Sequence, residues 1–336
     1  MIRKLALLLL FLPIFLSSCE RGPTVQVSRL MMGTQVSIKT SSPDDIDIRS
    51  AIEKTFTEME RISSAMDRFN VKGELAQINN SGLYKDIILT PYMYEILKRS
   101  IELAVITDGA FDVTVSPLME AWGFYGNEDR KVPSSKKIDE ALLKVGSEHL
   151  QLSDRSTLIF SMDGVEIDLS AIAKGYVVDR GIETLKEHGI ESALIDAGGD
   201  LYCLGNGPGN RPWKVGLKHP RKEGLLALLS AKDMAIATSG DYQNYFEIDG
   251  VRYCHIIDPR TGLAIEEEGG VISATVIARD CATADGLASA LCVLGPNKGI
   301  DLIETLDGVE AIIISMDGAD FRIDATKGAA AYYDKI

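Results

Sequence analysis

Two Asp-Gly pairs, Asp249-Gly250 and Asp317-Gly318, each sit between runs of strand-type residues in this 336-residue chain. Such a pair accepts the left-handed backbone of a two-residue turn, so Tyr245 to Ile257 and Glu310 to Ile323 read as hairpins. A turn that short joins only antiparallel neighbours. Other strand-like runs are Val25 to Lys39 (broken at Met31-Met32-Gly33-Thr34), Ser192 to Ile195, Trp213 to Leu217, Met234 to Ala237 and Val271 to Ile277. Helical spacing links Ile48, Ile52, Thr55, Phe56, Met59 and Ile62, behind a cap expected at Ser42-Pro43-Asp44-Asp45. Further helices are expected from Thr90-Pro91 to Asp108-Gly109, from Ser170 to His188-Gly189, and from Asp280 to Leu294, with Gly295-Pro296 as the stop. Strands and helices do not alternate as βαβ units, which predicts α+β with largely antiparallel sheet. No repeat or low-complexity linker is visible, and Gly205 to Gly209 reads as a surface loop.

The chemistry is narrowed first by absences. There is no phosphate-loop signature, HExxH or G-x-S-x-G, and Gly205-x-Gly207-x-Gly209 lacks the helix a dinucleotide fingerprint needs. What remains is a set of short Gly, Asp and Thr segments at the ends of expected elements. Glu166 to Tyr176 reads as a strand entering a helix N-terminus, which offers N–H groups and Lys174 to an anion. Asp285 and Ser289 are four apart on an otherwise apolar helix, so they share one face. An interior carboxylate there needs a cation or strong donors, and Mg²⁺ takes such oxygens. Singly, each has a plainer reading: Asp285 with Ser289 as a solvated or hydrogen-bonded pair, Asp168 as a helix cap, Lys174 as a solvated cation, Met32 and Phe69 as core, His255 as a satisfied histidine.

The N-terminus reads as an address. Arg3 and Lys4 precede an apolar run from Leu5 to Leu16, shorter than the roughly 20 residues that span a bilayer as a helix. Leu16-Ser17-Ser18-Cys19 resembles a lipobox, so residues 1–18 are expected to be removed, Cys19 lipidated and residues 19–28 to form a tether before a domain at 29–336. An ordinary cleaved signal peptide is the alternative. The predicted product is an exported, membrane-anchored lipoprotein facing the periplasm. Its formal charge moves from −14 to −16 as Arg3 and Lys4 leave, which argues against nucleic-acid binding. Cys203, Cys254, Cys281 and Cys292 form no CxxC pair, so a zinc site is not expected. Cys203 and Cys254 lie in expected strands, and the sequence does not decide whether they pair.

Taken in order, Met32-Gly33-Thr34, Phe69 to Asn79, Gly109 to Thr114, Asp168 to Tyr176, Asp196 to Asp200, Ala237 to Gly240, His255 to Gly262 and Ala284 to Ala290 resemble the ApbE-like flavin transferase family. The resemblance covers roughly residues 29–330. It implies a T-fold-like tandem body with the active site between its halves. It implies FAD as substrate, Mg²⁺ as activator, and transfer of FMN to a Thr or Ser hydroxyl of an exported acceptor flavoprotein, with AMP leaving. Acceptors in the family include subunits of Na⁺-pumping NADH:quinone reductase and Rnf-type complexes. Carried over by position, Met32, Phe69, Ala110, Phe111, Asp112, Asp168, Lys174 and Ile257 would hold FAD. The Ala171 carbonyl, Asp285 and Ser289 would bind Mg²⁺. His255 would act as general base, with Asp258 orienting it or acting alone. Phe69 stands where many members carry Tyr, Ser289 where Thr is usual, and Gly286 where Ala is common. Two other readings keep the same residues: a Mg²⁺-dependent FAD pyrophosphatase, and a non-enzymatic FAD-binding lipoprotein.

Overall fold

The structure, a computed structural model, describes residues 24–41, 47–126, 130–266, 270–318 and 320–334. The leader, Cys19 and the cap expected at 42–45 lie outside them. Eight antiparallel strands form the principal sheet: β1 (Thr24–Met31), β2 (Thr34–Ser41), β3 (Ala193–Ala197), β4 (Asp200–Leu204), β5 (Met234–Gly240), β6 (Val271–Ala278), β7 (Glu310–Asp317) and β8 (Asp320–Ala325). Their spatial order is their chain order. Residues 24–28 are therefore not tether. They pair with 37–41 as the first half of β1, because the alternating run supplies a ladder for β2.

Four long helices accompany the sheet: α1 (Ile48–Met66), α2 (Pro91–Ile106), α3 (Ala173–Glu187) and α4 (Cys281–Ile303). α1 and α3 fall between β2 and β3, and α4 falls between β6 and β7. Each half of the sheet thus has two strands, helix, two strands, a structural repeat without a sequence repeat. α1 forms because Ile48, Ile52, Phe56, Met59 and Ile62 share a stripe that is buried, each large apolar side chain contributing about 2 kcal/mol. Its cap is Asp47, whose carboxylate accepts from Ser50 N at 3.1 Å. α4 bends at Gly295 (φ 78°), where Pro296 follows. The expected stop is thus a kink, and residues beyond it regain helical structure. The turns at Met32-Gly33 (φ 51° and 70°) and Asp249-Gly250 (φ 51° and 80°) are the left-handed pairs that two-residue hairpins require.

Alternate residues of the central strands enter two cores. Tyr202, Leu204, Ala235, Ala237, Ala274 and Val276 face the helices. Leu201, Cys203, Ile236, Ile277 and Ile312 pack with Trp213 and Leu229 of a small outer sheet. Cys203 and Cys254 therefore lie in different cores, and all four described cysteines are free and buried. Burial pushes the Cys203 and Cys254 thiols up to about 12. A third cluster, around Leu118, Trp122, Ile138 and Ile257, joins the insertion after β2 to the hairpin inserted after β5. There Trp122 Nε1 donates to the Gly262 carbonyl at 2.8 Å.

α3 and α4 meet end to side at backbone contact. A Cβ on Gly175 would lie 2.2 Å from the Cys281 carbonyl oxygen and 2.5 Å from its carbon. The two Asp179 oxygens accept from Cys281 N (2.7 Å) and Ala282 N (2.9 Å), so a residue of α3 caps α4. In return Asp285 Oδ2 of α4 accepts from Gly175 N at 3.1 Å. Because the obstacle at Gly175 is backbone, Gly175→Ala is expected to cost about 3 kcal/mol. This should appear as a lower urea midpoint with little change in slope. An unaltered midpoint would show that the helices can part freely.

Candidate active site

A cleft of about 930 Å³ opens where the two halves meet, lined by residues from Leu30 to Val293. Met31, Met32 and Gly33 of the β1–β2 turn line one lip. Phe69 lies beyond the end of α1, where Asp67 Oδ1 accepts from Phe69 N at 2.9 Å and turns the chain outward. Its ring is 64% exposed. It meets Tyr125 in a T-shaped contact at 5.5 Å between centroids, with the Arg68 guanidinium over the ring at 5.5 Å from its centre. An exposed aromatic in this position offers a face to a flat ligand. Ala110, Phe111 and Ile257 are buried and supply an apolar wall.

The floor is charged. Lys174 Nζ contacts Asp200 Oδ2 and lies 3.4 and 3.5 Å from the two Asp285 oxygens. Asp200 and Asp285 are 3% and 2% exposed. Burial by itself would lower the Lys174 ammonium, but the Asp285 and Asp200 charges hold it above the usual lysine range. Burial and the neighbouring Asp285 push the Asp200 carboxyl up, against the pull of Lys174. One ammonium thus faces two carboxyl groups, and with both ionised one negative charge is in excess. Ser289 is one turn along α4 from Asp285, its Oγ 3.1 Å from Ser239 Oγ. The Gly175 N–H is turned to Asp285 rather than to the Ala171 carbonyl, and that carbonyl accepts no hydrogen bond among the described residues. A carboxylate, a hydroxyl and a free carbonyl line one cleft. All are hard oxygen donors, and with the excess negative charge they suit a divalent cation of the Mg²⁺ type.

The approach to α3 differs from the strand expected there. Residues 165–169 have no regular structure and α3 begins at Ala173. Its first N–H groups are also less free than expected: Ala173 N donates to Leu169 O, Tyr176 N to Ile172 O, and Gly175 N to Asp285. The carboxylate from α4 takes the place an anion would use, so positive charge at this end comes mainly from Lys174. Asp168 lines the cleft with its oxygens engaged by Ser170 N (2.8 Å) and the Tyr125 hydroxyl. Burial, aided by Asp168, raises the Tyr125 phenol, so it stays protonated and donates. Asp112 also borders the cleft, but its oxygens hold Thr114 N (2.8 Å), Thr114 Oγ1 (2.6 Å) and Ser147 N (2.7 Å). Its carboxylate braces the loop.

His255 lines the cleft from the inserted hairpin. Its Nδ1 lies 3.1 Å from the Asn244 carbonyl. A carbonyl only accepts, so Nδ1 carries the proton and Nε2 keeps a lone pair. Burial lowers the His255 pKa below its ordinary value, and the Lys174 and Arg130 charges act the same way against the Asn244 carbonyl. Asp258 is not brought to His255. Its two oxygens are bound by Arg260 Nε (2.8 Å) and Nη2 (2.9 Å), and Oδ1 also receives Arg260 N (2.9 Å). This closes the turn at 258–262, and the Asp-Pro-Arg sequence favours that local pairing over reach into the cleft.

Sequence reasoning missed Asp200, Arg68, Tyr125, Ser239 and the Asn244 carbonyl as parts of the site. Asp200 stood at the end of a noted Gly-Gly segment, but nothing local pointed to Lys174. Arg68 lies beside Phe69, and only the fold brings it to Glu166 (2.8 Å) and Tyr125 Oη (2.6 Å).

The chain matches a family model described as the ApbE family over residues 32–313. The FAD:protein FMN transferase of Vibrio cholerae is 34% identical over 310 residues, 90% of this chain and 92% of that protein. The protein of that name from Haemophilus influenzae is 32% identical over 331 residues, 94% and 93% of the two chains. The ApbE protein of Thermotoga maritima superposes with a TM-score of 0.85 at 34% identity, over 93% of this chain and 100% of that one. The flavin transferase ApbE of Vibrio cholerae gives 0.84 at 31% identity, over 92% and 100%. Sequence and fold agree over nearly the whole length: the chain belongs to the ApbE family.

Proposed function

We propose that this protein transfers FMN from FAD to a Thr or Ser hydroxyl of an acceptor flavoprotein and releases AMP. The carrying observation is that one cleft joins an exposed aromatic lip at Phe69 to the Lys174, Asp285, Ser289 and Ala171 floor. The first suits a flat isoalloxazine. The second suits a pyrophosphate with a divalent cation. The relatives named above as FAD:protein FMN transferases support the same reading.

The transfer is of the phosphoryl type, in which positioning and charge neutralisation dominate. Met32 and Phe69 hold the ring system at the lip, and Ala110, Phe111 and Ile257 exclude water from one wall. Lys174 holds the pyrophosphate. Asp285, Ser289 and the Ala171 carbonyl would hold Mg²⁺, which would supply neutralisation of phosphate charge. The acceptor oxygen forms a bond to the phosphorus of the FMN half. The bond from that phosphorus to the bridging oxygen breaks, and AMP leaves with that oxygen. The hydroxyl proton passes to His255 Nε2. Acceptors are exported flavoproteins, of which subunits of Na⁺-pumping NADH:quinone reductase and Rnf-type complexes are the candidates. The lipobox-like Leu16-Ser17-Ser18-Cys19 supports a protein anchored by lipid on the periplasmic side of a membrane.

Incubation with FAD, Mg²⁺ and an acceptor domain should add the mass of FMN to the acceptor. Asp285→Ala or excess EDTA should abolish the adduct. Free FMN and AMP without an adduct would favour a pyrophosphatase, and bound FAD with no turnover a carrier. His255→Ala should lower the rate by about 10²–10⁴-fold. The active form of His255 is the neutral one, and its pKa lies below the ordinary 6.5. The wild-type rate should therefore fall on the acid side below that value and stay level through neutral pH. A limb centred above 6.5 would exclude His255 as the base. Labelled palmitate should enter the wild type in a bacterial host and fail to enter Cys19→Ser; equal labelling would exclude Cys19 as the anchor.

A further inference from the structure

Lys174 sits between two buried carboxylates, but unequally. Its ammonium is in close contact with Asp200 and stands 3.4 Å or more from Asp285. Asp200 is rigidly placed. It opens β4 directly after the Gly198-Gly199 turn, where both glycines have positive φ (71° and 107°). The turn is itself tied by Gly199 N donating to Asp196 Oδ1 at 2.9 Å, and a Cβ on Gly198 would strike Thr34 Oγ1 at 2.4 Å. Asp285 is equally fixed by Gly175 N. The most exposed of the three is the lysine, whose side chain is 32% accessible against 4% for Asp200.

We propose that Asp200 is a positioning residue for the cation site: it competes with Asp285 for the Lys174 ammonium and so weakens the Lys174–Asp285 pair that a divalent cation must displace. The inference rests on the metal-assisted reading given above and assigns Asp200 a part in it. With Asp200 ionised, the three groups carry one excess negative charge, and an incoming cation meets a carboxylate whose ammonium neighbour, at 3.4 Å, is shared with Asp200. Without the Asp200 charge, Lys174 and Asp285 form a neutral pair. A cation must then displace the ammonium before it can bind. The same tether keeps Lys174 over the floor of the cleft, where the pyrophosphate lies.

The opposite signs expected for the two partners make the test specific. FAD binding is followed by calorimetry over a MgCl₂ series, with no acceptor present. For the wild type, affinity should rise with Mg²⁺. Asp200→Asn should raise the Mg²⁺ concentration for half-maximal effect at least tenfold. Lys174→Gln should lower it, although FAD binding at saturating Mg²⁺ weakens. The double variant should match Lys174→Gln alone and not the sum of the two single effects, because Asp200 acts only through the ammonium. An Asp200→Asn requirement within twofold of wild type, additive single effects, or an equal loss of FAD affinity at every Mg²⁺ concentration would overturn the proposal. If Asp200→Asn does not fold, Lys174→Gln decides alone, and failure to lower the requirement overturns it. Wild-type FAD binding indifferent to Mg²⁺ would instead remove the cation site itself, and this inference with it.

Discussion

The reciprocal capping of α3 and α4 is the contact on which the rest depends. Each helix lends a carboxylate to the other: Asp179 takes the first N–H groups of α4, and Asp285 takes Gly175 N of α3. Helix ends leave such donors without partners, and burying them unpaired is costly. Here the pairing is made across the junction of the two halves, and it closes only because residue 175 has no side chain. The geometry of the cleft floor follows. Asp285 is oriented, the Ala171 carbonyl is released from helical bonding, and Lys174 projects from the adjacent position.

The global charge and the local site oppose one another. A chain of formal charge −14 repels an anionic dinucleotide at long range. Screening limits that repulsion to about 10 Å at ordinary ionic strength, so a few enclosed charges can decide binding. Lys174 is the main positive group on the floor, and two carboxylates accompany it. The site is therefore short of positive charge by itself, which is why a divalent cation fits its chemistry.

Much of the fold was legible. The Asp249-Gly250 turn, the α1 stripe and the Asp280 cap depend on residues within a few positions of each other, and these local signals hold in the structure. The last hairpin also forms, but Asp317 belongs to its strand, paired with Asp320, and not to its turn. Less was legible where pairing is distant. The helix Ser116–Ala121 and the strand Leu225–Ala231 carry weak local patterns and are stabilised by the clusters they join. The reading of 166–176 as a strand entering an open helix end failed because distant residues bond there: Asn79 takes Ile167 N, the Val113 carbonyl takes Asp168 N, and Asp285 takes Gly175 N. Asp258 looked like a partner for His255 by proximity in sequence, yet Arg260 is nearer in space.

By itself the sequence determined the antiparallel α+β class, the order of the motifs and the residue types of the site: an aromatic, a lysine, a carboxylate with a hydroxyl one turn on, and a histidine. The fold class follows from local backbone preference and periodicity, which act over a few residues; the aromatic and the histidine are marked by the resemblance to the family. Only the tertiary structure decided which carboxylates share Lys174, which carbonyl loses its helical donor, and which His255 nitrogen is left with a lone pair. Those are matters of distance between residues far apart in the chain, and packing at the helix junction sets them.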